Sequence, residues 1–438
     1  MRKKTVFFLV LVLACLAGLL PAAYGTAGPS TRLPGVLRFV RPVNAGGVPG
    51  EVCWATGVAL PIRVEGAALV ADSGSVPPGT FVSVYDGPVR LGSGQAGSDG
   101  SLVVSLSHAP ARPVAVVQSA SKLPADWVPY SWERLASGPA GRFRPGLAYA
   151  DGKVHVFGGS AYGPLPAGQV WAVWDAASGT WSYPGGNLPP QRYAHAMASS
   201  PDGALWIFGG DLGFRCDPSQ FGSDLWVYRG ETGWQKLQPA STPPGRAWTR
   251  GVWLDGKFWV FGGRGAAGPM NDLWAYDPVL GTWSQKAVSS PQKPTPRYVH
   301  AMAVCGGKIY VHGGSQVVSN TGVPMPDLWE YDPAADVWTR RADGPALYDH
   351  ELVAVGGLLY TFAGGTSSSG STAADVWVYD PKQNTWTRLD VRGTWPAGRY
   401  AHGMCAGPDG SVYVFGAFQT GVWQEFWRFR PGFVAPGR

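Results

Sequence analysis

Residues 257–263 read Lys257-Phe258-Trp259-Val260-Phe261-Gly262-Gly263, and this stretch contains the pattern that decides the fold. A short apolar run ends at two glycines, and similar runs recur at intervals of 51 to 53 residues. The first glycines of the six runs are Gly158, Gly209, Gly262, Gly313, Gly364 and Gly416. Short apolar runs bounded by glycine are typical of strands, and a period of this length predicts one small β unit repeated six times.

A second motif follows each glycine pair, and it has an acidic residue two positions before a tryptophan. Its five clear copies are Asp224–Tyr228, Asp272–Tyr276, Asp327–Tyr331, Asp375–Tyr379 and Glu425–Phe429, whereas the first unit has Gln169 before Trp171. After a turn comes another tryptophan, namely Trp181, Trp234, Trp283, Trp338 or Trp386. We interpret each unit as four strands: one after an Arg-Tyr-x-His segment, one ending at the glycines, and one for each tryptophan.

These co-located motifs resemble the Kelch repeat, and the resemblance covers roughly residues 127–434. It implies a β-propeller of radially packed four-stranded blades, in which the tryptophans pack between blades. The sixth unit ends without a fourth strand, whereas Trp132-Glu133-Arg134-Leu135 is similar to Trp386-Thr387-Arg388-Leu389. We therefore predict that a strand at 130–136 completes the last blade and leaves no exposed sheet edge there.

The segment before the repeats, residues 28–124, has alternating apolar runs but no 50-residue period. Phe81–Gly87 and Ser98–Val104 resemble a Tyr-Asp-Gly hairpin and an Asp-Gly-Ser strand of bacterial Ig-like domains. The predicted fold class is thus all-β, with a six-bladed Kelch β-propeller at 125–438 preceded by a small Ig-like β-sandwich at 28–124.

Residues 1–27 are predicted to be a signal peptide, with basic Arg2–Lys4, an apolar stretch at Val6–Leu20 and small residues before Ala27. The protein is then expected to be secreted or held at the cell surface. Membrane association would come only through an uncleaved N-terminus or one lipidated at Cys15.

Composition excludes several other classes of function. The net charge is +6, but lysine and arginine are scattered, so we do not predict a nucleic-acid partner. The five cysteines match no metal-ligand spacing, and no cofactor or metal site is predicted. Export would allow a Cys53–Cys216 disulfide, and free thiols are the alternative.

Candidate ligand-binding residues come from the entry to each first strand. They are Arg142, Arg192, Arg246, Arg297, Tyr348 and Arg399, together with Glu351 in the fifth unit. Repeat symmetry would place the arginines in a ring near the channel mouth, where guanidinium groups bind carboxylates. The alternative is that each arginine bonds a carboxylate or the backbone of a neighbouring blade. The in-phase His195, His300 and His402 are either structural or a cation site.

Two kinds of function fit these features. The first is an extracellular binding protein whose loop-bearing face recognises a protein, peptide or glycan, with acidic ligands suited to the arginines. The second is a sugar-processing enzyme resembling sialate mutarotase, with Glu351 and an arginine acting on the sugar, or galactose oxidase, which needs copper and a Tyr–Cys crosslink. No hydrolase, P-loop or HExxH motif occurs, and no catalytic residue is assigned.

Overall fold

The computed structural model describes residues 131–431 apart from 288–289, 317–322, 390–394, 409 and 420, and shorter stretches between residues 38 and 119. The predictions for residues 1–27, including lipidation at Cys15, lie outside the described residues, as does the side chain of Cys53. The chain divides into two compact units, the first comprising residues 1–43, 54–129 and 432–438 and the second residues 44–53 and 130–431. Each unit is described by itself.

The second unit is a six-bladed β-propeller in which each blade is a four-stranded antiparallel sheet. Blade 1 contains Gly146–Ala150, Lys153–Phe157, Trp171–Asp175 and Thr180–Ser182; blade 2 contains Ala196–Ser199, Leu205–Phe208, Leu225–Arg229 and Gly233–Leu237; blade 3 contains Arg250–Leu254, Lys257–Gly265, Gly268–Asp277 and Thr282–Lys286. A short 3-10 helix, Pro218–Gln220, lies in the loop between the second and third strands of blade 2.

Blades 4 to 6 repeat this order. Blade 4 contains Ala301–Cys305, Lys308–His312, Leu328–Asp332 and Val337–Arg340; blade 5 contains Glu351–Val355, Leu358–Phe362, Val376–Asp380 and Thr385–Arg388; blade 6 contains Gly403–Ala406, Val412–Phe415, Phe426–Arg430 and, from the other end of the propeller, Ser131–Arg134. The six-bladed architecture predicted from the repeats is confirmed.

Tryptophans of the fourth strands hold neighbouring blades together. Trp234 lies 5.3 Å from Phe157, Trp283 lies 5.1 Å from Phe208, and Trp338 lies 5.3 Å from Phe261, each ring pair joining one blade to the blade before it. Both faces of a blade are therefore buried, which explains why its strands are apolar on both sides rather than alternating with polar residues. Aromatic pairs at these distances stabilise the interface beyond the area that they bury.

The glycine pairs bring the backbones of adjacent blades into contact. The amide of Gly159 donates to the carbonyl of Arg192 in the next blade at 2.9 Å, and the corresponding bond of blade 6 runs from Ala417 to Arg142 at 3.1 Å. Gly158 has φ +62°, and a Cβ atom there would lie 2.2 Å from the Arg192 carbonyl oxygen. A side chain at Gly158 would both strain the backbone and collide with the next blade, so this glycine is a consequence of blade packing.

Blade 6 is completed by a strand from before blade 1. Ser131–Arg134 pairs antiparallel with Phe426–Arg430, and Glu133 accepts hydrogen bonds from Arg428. Trp132 occupies the place of a fourth-strand tryptophan, with ring centroids 4.6 Å from Phe362 of blade 5 and 4.9 Å from Phe429. The two ends of the propeller are thereby joined in one sheet.

The first unit contains two small sheets among its described strands. One has the order Arg38–Val40, Ala115–Ser119, Phe81–Asp86 and Val89–Gln95, and the other has the order Ile62–Glu65, Ala68–Ala71 and Leu102–Ser105. A further strand, Pro42–Asn44, pairs with Val52–Trp54. Leu69, Val82, Val84 and Val104 have no exposed surface and form its core. The first strand runs parallel to Ala115–Ser119. An Ig-like sandwich remains a prediction for this unit.

Candidate functional site

The loops that enter the first strands and those that leave the second strands meet on one face of the propeller. Isolated bridges join the two sets in every blade: Phe143 with Ser160, Tyr193 with Asp211, Ala247 with Arg264, Tyr298 with Ser315, Tyr348 with Gly365, and Tyr400 with Phe418. We call this the loop face. Loops on a rigid scaffold are where binding residues are most often found.

The predicted arginine ring lies beneath the loop face. Arg142, Arg192, Arg246, Arg297 and Arg399 have no exposed surface. Arg192 donates to both carboxylate oxygens of Asp224, at 2.8 and 2.9 Å, and to the carbonyl of Gly209. Asp224 also accepts a hydrogen bond from the indole of Trp226 at 2.6 Å. Arg246 with Asp272, Arg297 with Asp327, and Arg399 with Glu425 repeat the ion pair.

The alternative of a structural role is thus favoured, but four of the arginines bond a carboxylate of their own blade and not of the neighbouring blade that was predicted. The arginine therefore clamps the start of a blade to its third strand, and the acidic residue before each tryptophan is its partner. Contact between these arginines and a ligand remains a prediction, and the geometry favours other residues for that role.

Blade 1 lacks the carboxylate of this clamp. Gln169 occupies the acidic position, and its Oε1 accepts from the amide of Ala140 at 2.8 Å. The Nη2 atom of Arg142 and the indole nitrogen of Trp171 are buried, and neither has a hydrogen-bond partner in the part of the chain that is described. Burial lowers the pKa of Arg142 to about 10, because a buried guanidinium without a carboxylate loses hydration that nothing replaces.

Blade 5 is offset by one residue from the predicted alignment. Leu347, rather than Tyr348, accepts the interblade bond from Gly314, so Leu347 is the equivalent of Arg297. Tyr348 is buried and bridges Gly365, as Tyr298 bridges Ser315. In blade 5, Glu351 of the first strand pairs with Phe362 of the second, as Ala301 pairs with His312 in blade 4. Glu351 is therefore the equivalent of Ala301. The offset arises because Ala363, with φ +58°, takes the place of the first glycine.

A closed ring of six backbone hydrogen bonds surrounds the central channel at the loop face. Its members are Arg144, Ala194, Trp248, Val299, Asp349 and Ala401, each with φ between +51° and +60°. Each amide donates to the carbonyl of the equivalent residue in the preceding blade, at 2.7 to 3.2 Å. We call this the amide ring. A left-handed backbone at a residue other than glycine costs free energy, and all six blades retain it.

Charged side chains lie on both sides of the amide ring. Arg144 Nε donates to Oδ2 of Asp349 at 2.9 Å, and the Asp349 side chain has no exposed surface. Arg250 donates from Nε and Nη2 to Glu351, at 3.2 and 3.0 Å. Burial raises the pKa of Glu351 to about 7, with Arg250 opposing the shift and Asp349 adding to it. Arg144, Arg250 and Asp349 were missed from the sequence, although they interrupt positions that are mostly small or apolar in other blades.

The in-phase histidines are buried against aromatic rings. His195 lies 5.7 Å from Phe157, His300 lies 5.3 Å from Phe261, and His402 lies 5.7 Å from Phe362. Burial lowers the pKa of all three, to about 3 for His195 and His402, so the imidazoles are neutral at pH 7. Within the described ranges, no group of three or more metal-ligating side chains occurs.

A cluster of aromatic rings lies on the loop face over blades 6, 1 and 2, with Tyr162 exposed, Tyr193 buried and the other four rings half-buried. It comprises Phe143, Tyr162, Tyr193, Phe214, Tyr400 and Phe418, and we call it the aromatic cluster. Each ring lies within 6.0 Å of another member, centroid to centroid. Tyr162 is 71% exposed, and Arg144 lies over Phe143 at 5.6 Å. Exposed Arg215 lies next to Phe214 along the chain.

The propeller fold agrees with a comparison against protein-family models. The KLHDC2/KLHL20/DRC7 Kelch-repeats domain matches residues 146–347 and 349–432. The chain belongs to the Kelch-repeat family. Kelch domains are generally scaffolds for protein interaction, and the resemblance inferred from the sequence is confirmed to that extent.

Curated Kelch proteins are similar over part of the propeller. Kelch-like protein 33 of Homo sapiens is 31% identical over 152 residues, covering 34% of this chain and 27% of that protein. The Rab9 effector protein with kelch motifs of Xenopus laevis is 29% identical over 171 residues, covering 37% and 44%. Adagio-like protein 3 of Oryza sativa subsp. japonica is 29% identical over 200 residues, covering 43% and 30%. The chain thus spans less than half the length of these relatives.

The described cysteines and helices add two further findings. None of Cys216, Cys305 and Cys405 is in a disulfide. Cys216 is exposed, with its Sγ 3.3 Å from the hydroxyl of Tyr193, and the other two are buried. Among the described residues, no helix has the length and hydropathy needed to cross a membrane.

Proposed function

We propose that this Kelch protein binds a protein ligand, through an extended peptide segment, on the aromatic cluster of its loop face. The observation that supports this most directly is a continuous set of six rings with Tyr162 largely in solvent. Tyr162 is one of the few large side chains of the described residues that are mostly exposed, and Tyr and Phe are enriched at the centres of protein interfaces.

The charges beside the cluster favour an acidic segment. Arg144 and Arg215 adjoin the aromatic rings, and Arg264 lies over Trp248 at 5.8 Å. The carboxylate that pairs with Arg144, Asp349, is buried, whereas Asp217 beside Arg215 is exposed. A carboxylate of the ligand would therefore find partly exposed guanidinium groups beside the rings. The signal-like N-terminus supports an extracellular setting, and the name of the Rab9 effector relative describes a protein that acts on another protein.

The enzyme alternatives have less support from the geometry. Glu351, the acidic residue required by the mutarotase-like alternative, lies below the amide ring and bonds Arg250, whereas the exposed side chains lie above it. The galactose-oxidase alternative requires histidine ligands beside a tyrosine. His195, His300 and His402 lie instead between blades against phenylalanines.

The test is selection from a random peptide phage library on the immobilised full chain, followed by affinity measurement against two variants. Tyr162→Ser removes an exposed ring of the cluster, and Leu280→Ser removes an equally exposed apolar side chain, also 71% exposed, at a turn on the opposite face. We expect the selected peptides to be rich in Asp and Glu and to lose roughly tenfold in affinity on Tyr162→Ser only. Loss on Leu280→Ser alone, or binding on a glycan array with no peptide enrichment, would contradict the proposal.

A further inference from the structure

Four histidines lie between neighbouring blades, and each directly follows a residue of the amide ring along the chain. They are His195, His300, His350 and His402, and we call them the interface histidines. Three of them pack on a phenylalanine of the preceding blade at 5.3 to 5.7 Å, and the ring of His350 lies 5.0 Å from that of His312 in blade 4. The interface histidines therefore occupy four of the six contacts between blades.

These contacts bury the imidazoles against the backbone of the preceding blade. The four histidines are between 0% and 4% exposed. A Cβ atom added at Gly146 of blade 1 would lie 2.6 Å from Nε2 of His195, and one added at Gly313 of blade 4 would lie 2.8 Å from Cε1 of His350. For His195 and His402, neither ring nitrogen has a hydrogen-bond partner within the described residues. An imidazolium has two N–H donors and a charge, so at these places it could be hydrated only if the blades separated.

The groups that face the interface histidines would oppose a positive charge on them. Arg250 lines the central channel together with His195 and acts on all four imidazoles. Three of the buried arginines add to this, namely Arg192 beside His195, Arg297 beside His300 and Arg399 beside His402. His350 is faced in addition by the imidazoles of His300, His312 and His402. The nearby carboxylates are each in an ion pair with an arginine, and they are Asp224, Asp327, Asp349, Glu351 and Glu425.

We propose that the propeller is an acid-sensitive switch, in which protonation of the interface histidines separates neighbouring blades under mildly acidic conditions. The amide ring would open in the same step, because four of its bonds join the residue before an interface histidine to the preceding blade. In blade 3 the equivalent position is Thr249, whose hydroxyl donates to the carbonyl of Phe261 at 2.9 Å and gains no charge in acid. The switch does not depend on the proposed function.

Proton linkage gives the direction of the effect. Burial lowers the pKa of all four imidazoles, and Arg250 lowers it further, to about 3 for His195 and His402. An unfolded histidine has a pKa of about 6.5, so the native state binds fewer protons than the unfolded chain from about pH 6.5 down to about pH 3. The stability of the propeller should therefore fall as the pH falls below about 6.5.

The size of the effect depends on every buried histidine. The other two described histidines, His155 and His312, are also buried, and burial lowers their pKa to about 4 and about 3. Glu351 alone acts in the opposite direction, since burial raises its pKa to about 7. The aspartates that pair with arginines contribute only below about pH 5, because an unfolded aspartate has a pKa of about 3.9. Six groups against one should raise the equilibrium constant of unfolding roughly ten-thousand-fold from pH 7 to pH 5.5.

The experiment is urea unfolding of the full chain at pH 7 and at pH 5.5, followed by tryptophan fluorescence, because nearly all tryptophans lie in the second unit. His300→Thr and His402→Thr introduce the residue that blade 3 has at this position. Each should remove about one proton from the uptake on unfolding, so the rise in the unfolding constant should be roughly eightfold smaller than in the wild type. Thr249→Val is the matched control, and it should leave the pH dependence unchanged whatever its effect at pH 7.

Three outcomes would overturn the proposal. The first is a change of less than tenfold in the unfolding constant of the wild type between pH 7 and pH 5.5. The second is a pH dependence of the His→Thr proteins equal to that of the wild type, and if one of them fails to fold, the other still decides. The third is a loss of stability that begins only below pH 5, which would assign the acid sensitivity to carboxylates. No ligand takes part in these measurements, so their outcome is separate from that of the peptide selection.

Discussion

Replacing Gln169 by aspartate should stabilise the propeller, because blade 1 has two buried donors and no carboxylate to receive them. In blade 2 the equivalent Asp224 accepts from Arg192 at 2.8 and 2.9 Å and from the Trp226 indole at 2.6 Å. In blade 1, Nη2 of Arg142 and Nε1 of Trp171 have no partner among the described residues. Gln169→Asp supplies the missing acceptor in the same backbone position.

The magnitude follows from the bonds gained and lost. Hydrogen bonds to a charged group contribute about 1.5–3 kcal/mol each, but burying the new carboxylate costs several kcal/mol. The amide of Ala140 also loses its bond to Gln169 Oε1, which is worth about 1 kcal/mol. We expect a net rise of about 1–3 kcal/mol in the free energy of unfolding.

Urea unfolding at 25 °C, followed by circular dichroism, measures the change. Gln235→Asp, an exposed substitution on the fourth strand of blade 2, is the matched control and should change the free energy of unfolding by less than about 0.5 kcal/mol. The gain should vanish when Arg142→Met is combined with Gln169→Asp. A Gln169→Asp protein that is no more stable than the control would refute the argument that Arg142 lacks a partner.

Three further predictions concern the clamps, the closing strand and Glu351. Arg297→Ala should lower the free energy of unfolding, measured in urea, by about 3–5 kcal/mol, because it leaves Asp327 buried and unpaired. Arg340→Ala, which removes the exposed ion pair with Asp343, should lower it by less than about 0.5 kcal/mol. Equal effects of the two substitutions would contradict the structural role of Arg297. Trp132→Ala should cost about 3 kcal/mol in the same assay by removing its contacts with Phe362 and Phe429, and no loss would mean that the strand does not close the ring. The pKa of Glu351 is raised to about 7 in the native state, so that state binds more protons than the unfolded chain between about pH 4.5 and 7, and the stability from this group falls as pH rises through that window. The Glu351→Gln protein should therefore gain stability relative to the wild type between pH 5 and pH 8. A difference in the free energy of unfolding that stays constant over this range would contradict the raised pKa.

Much of the fold could be predicted from the sequence because blade packing imposes a repeat. Each blade must bury both faces, so apolar runs, glycine pairs and tryptophans recur at the same interval. The missing fourth strand of the sixth unit and the tryptophan at Trp132 then indicated how the ring ends. The first unit offers no such repetition, and its sheets could be predicted only as short strands.

The role of the arginines could not be decided from the sequence, because a ring of ligand-binding arginines and a set of structural arginines produce the same repeated pattern. The decisive relation is the in-phase acidic residue before each tryptophan, such as Asp327 for Arg297. Its absence at Gln169 shows the coupling most clearly, since Arg142 then has no carboxylate.

The amide ring could not be predicted because it is made of backbone groups, and its members range from Ala194 to Trp248. The charged side chains beside the amide ring could be detected only as departures from the residue types of the other blades. Arg250 and Glu351 occupy a position that is glycine or alanine in the other four blades, but pairing them across the channel required the one-residue offset of blade 5.

Photo-crosslinking at defined positions tests the central claim, that the ligand binds the aromatic cluster on the loop face. p-Benzoylphenylalanine is placed at position 162 in one protein and at position 280 in another, each is irradiated with a selected peptide, and the products are identified by mass spectrometry. The account predicts peptide adducts at position 162 and none above background at position 280. Adducts at position 280 alone would place the ligand on the opposite face and contradict the account.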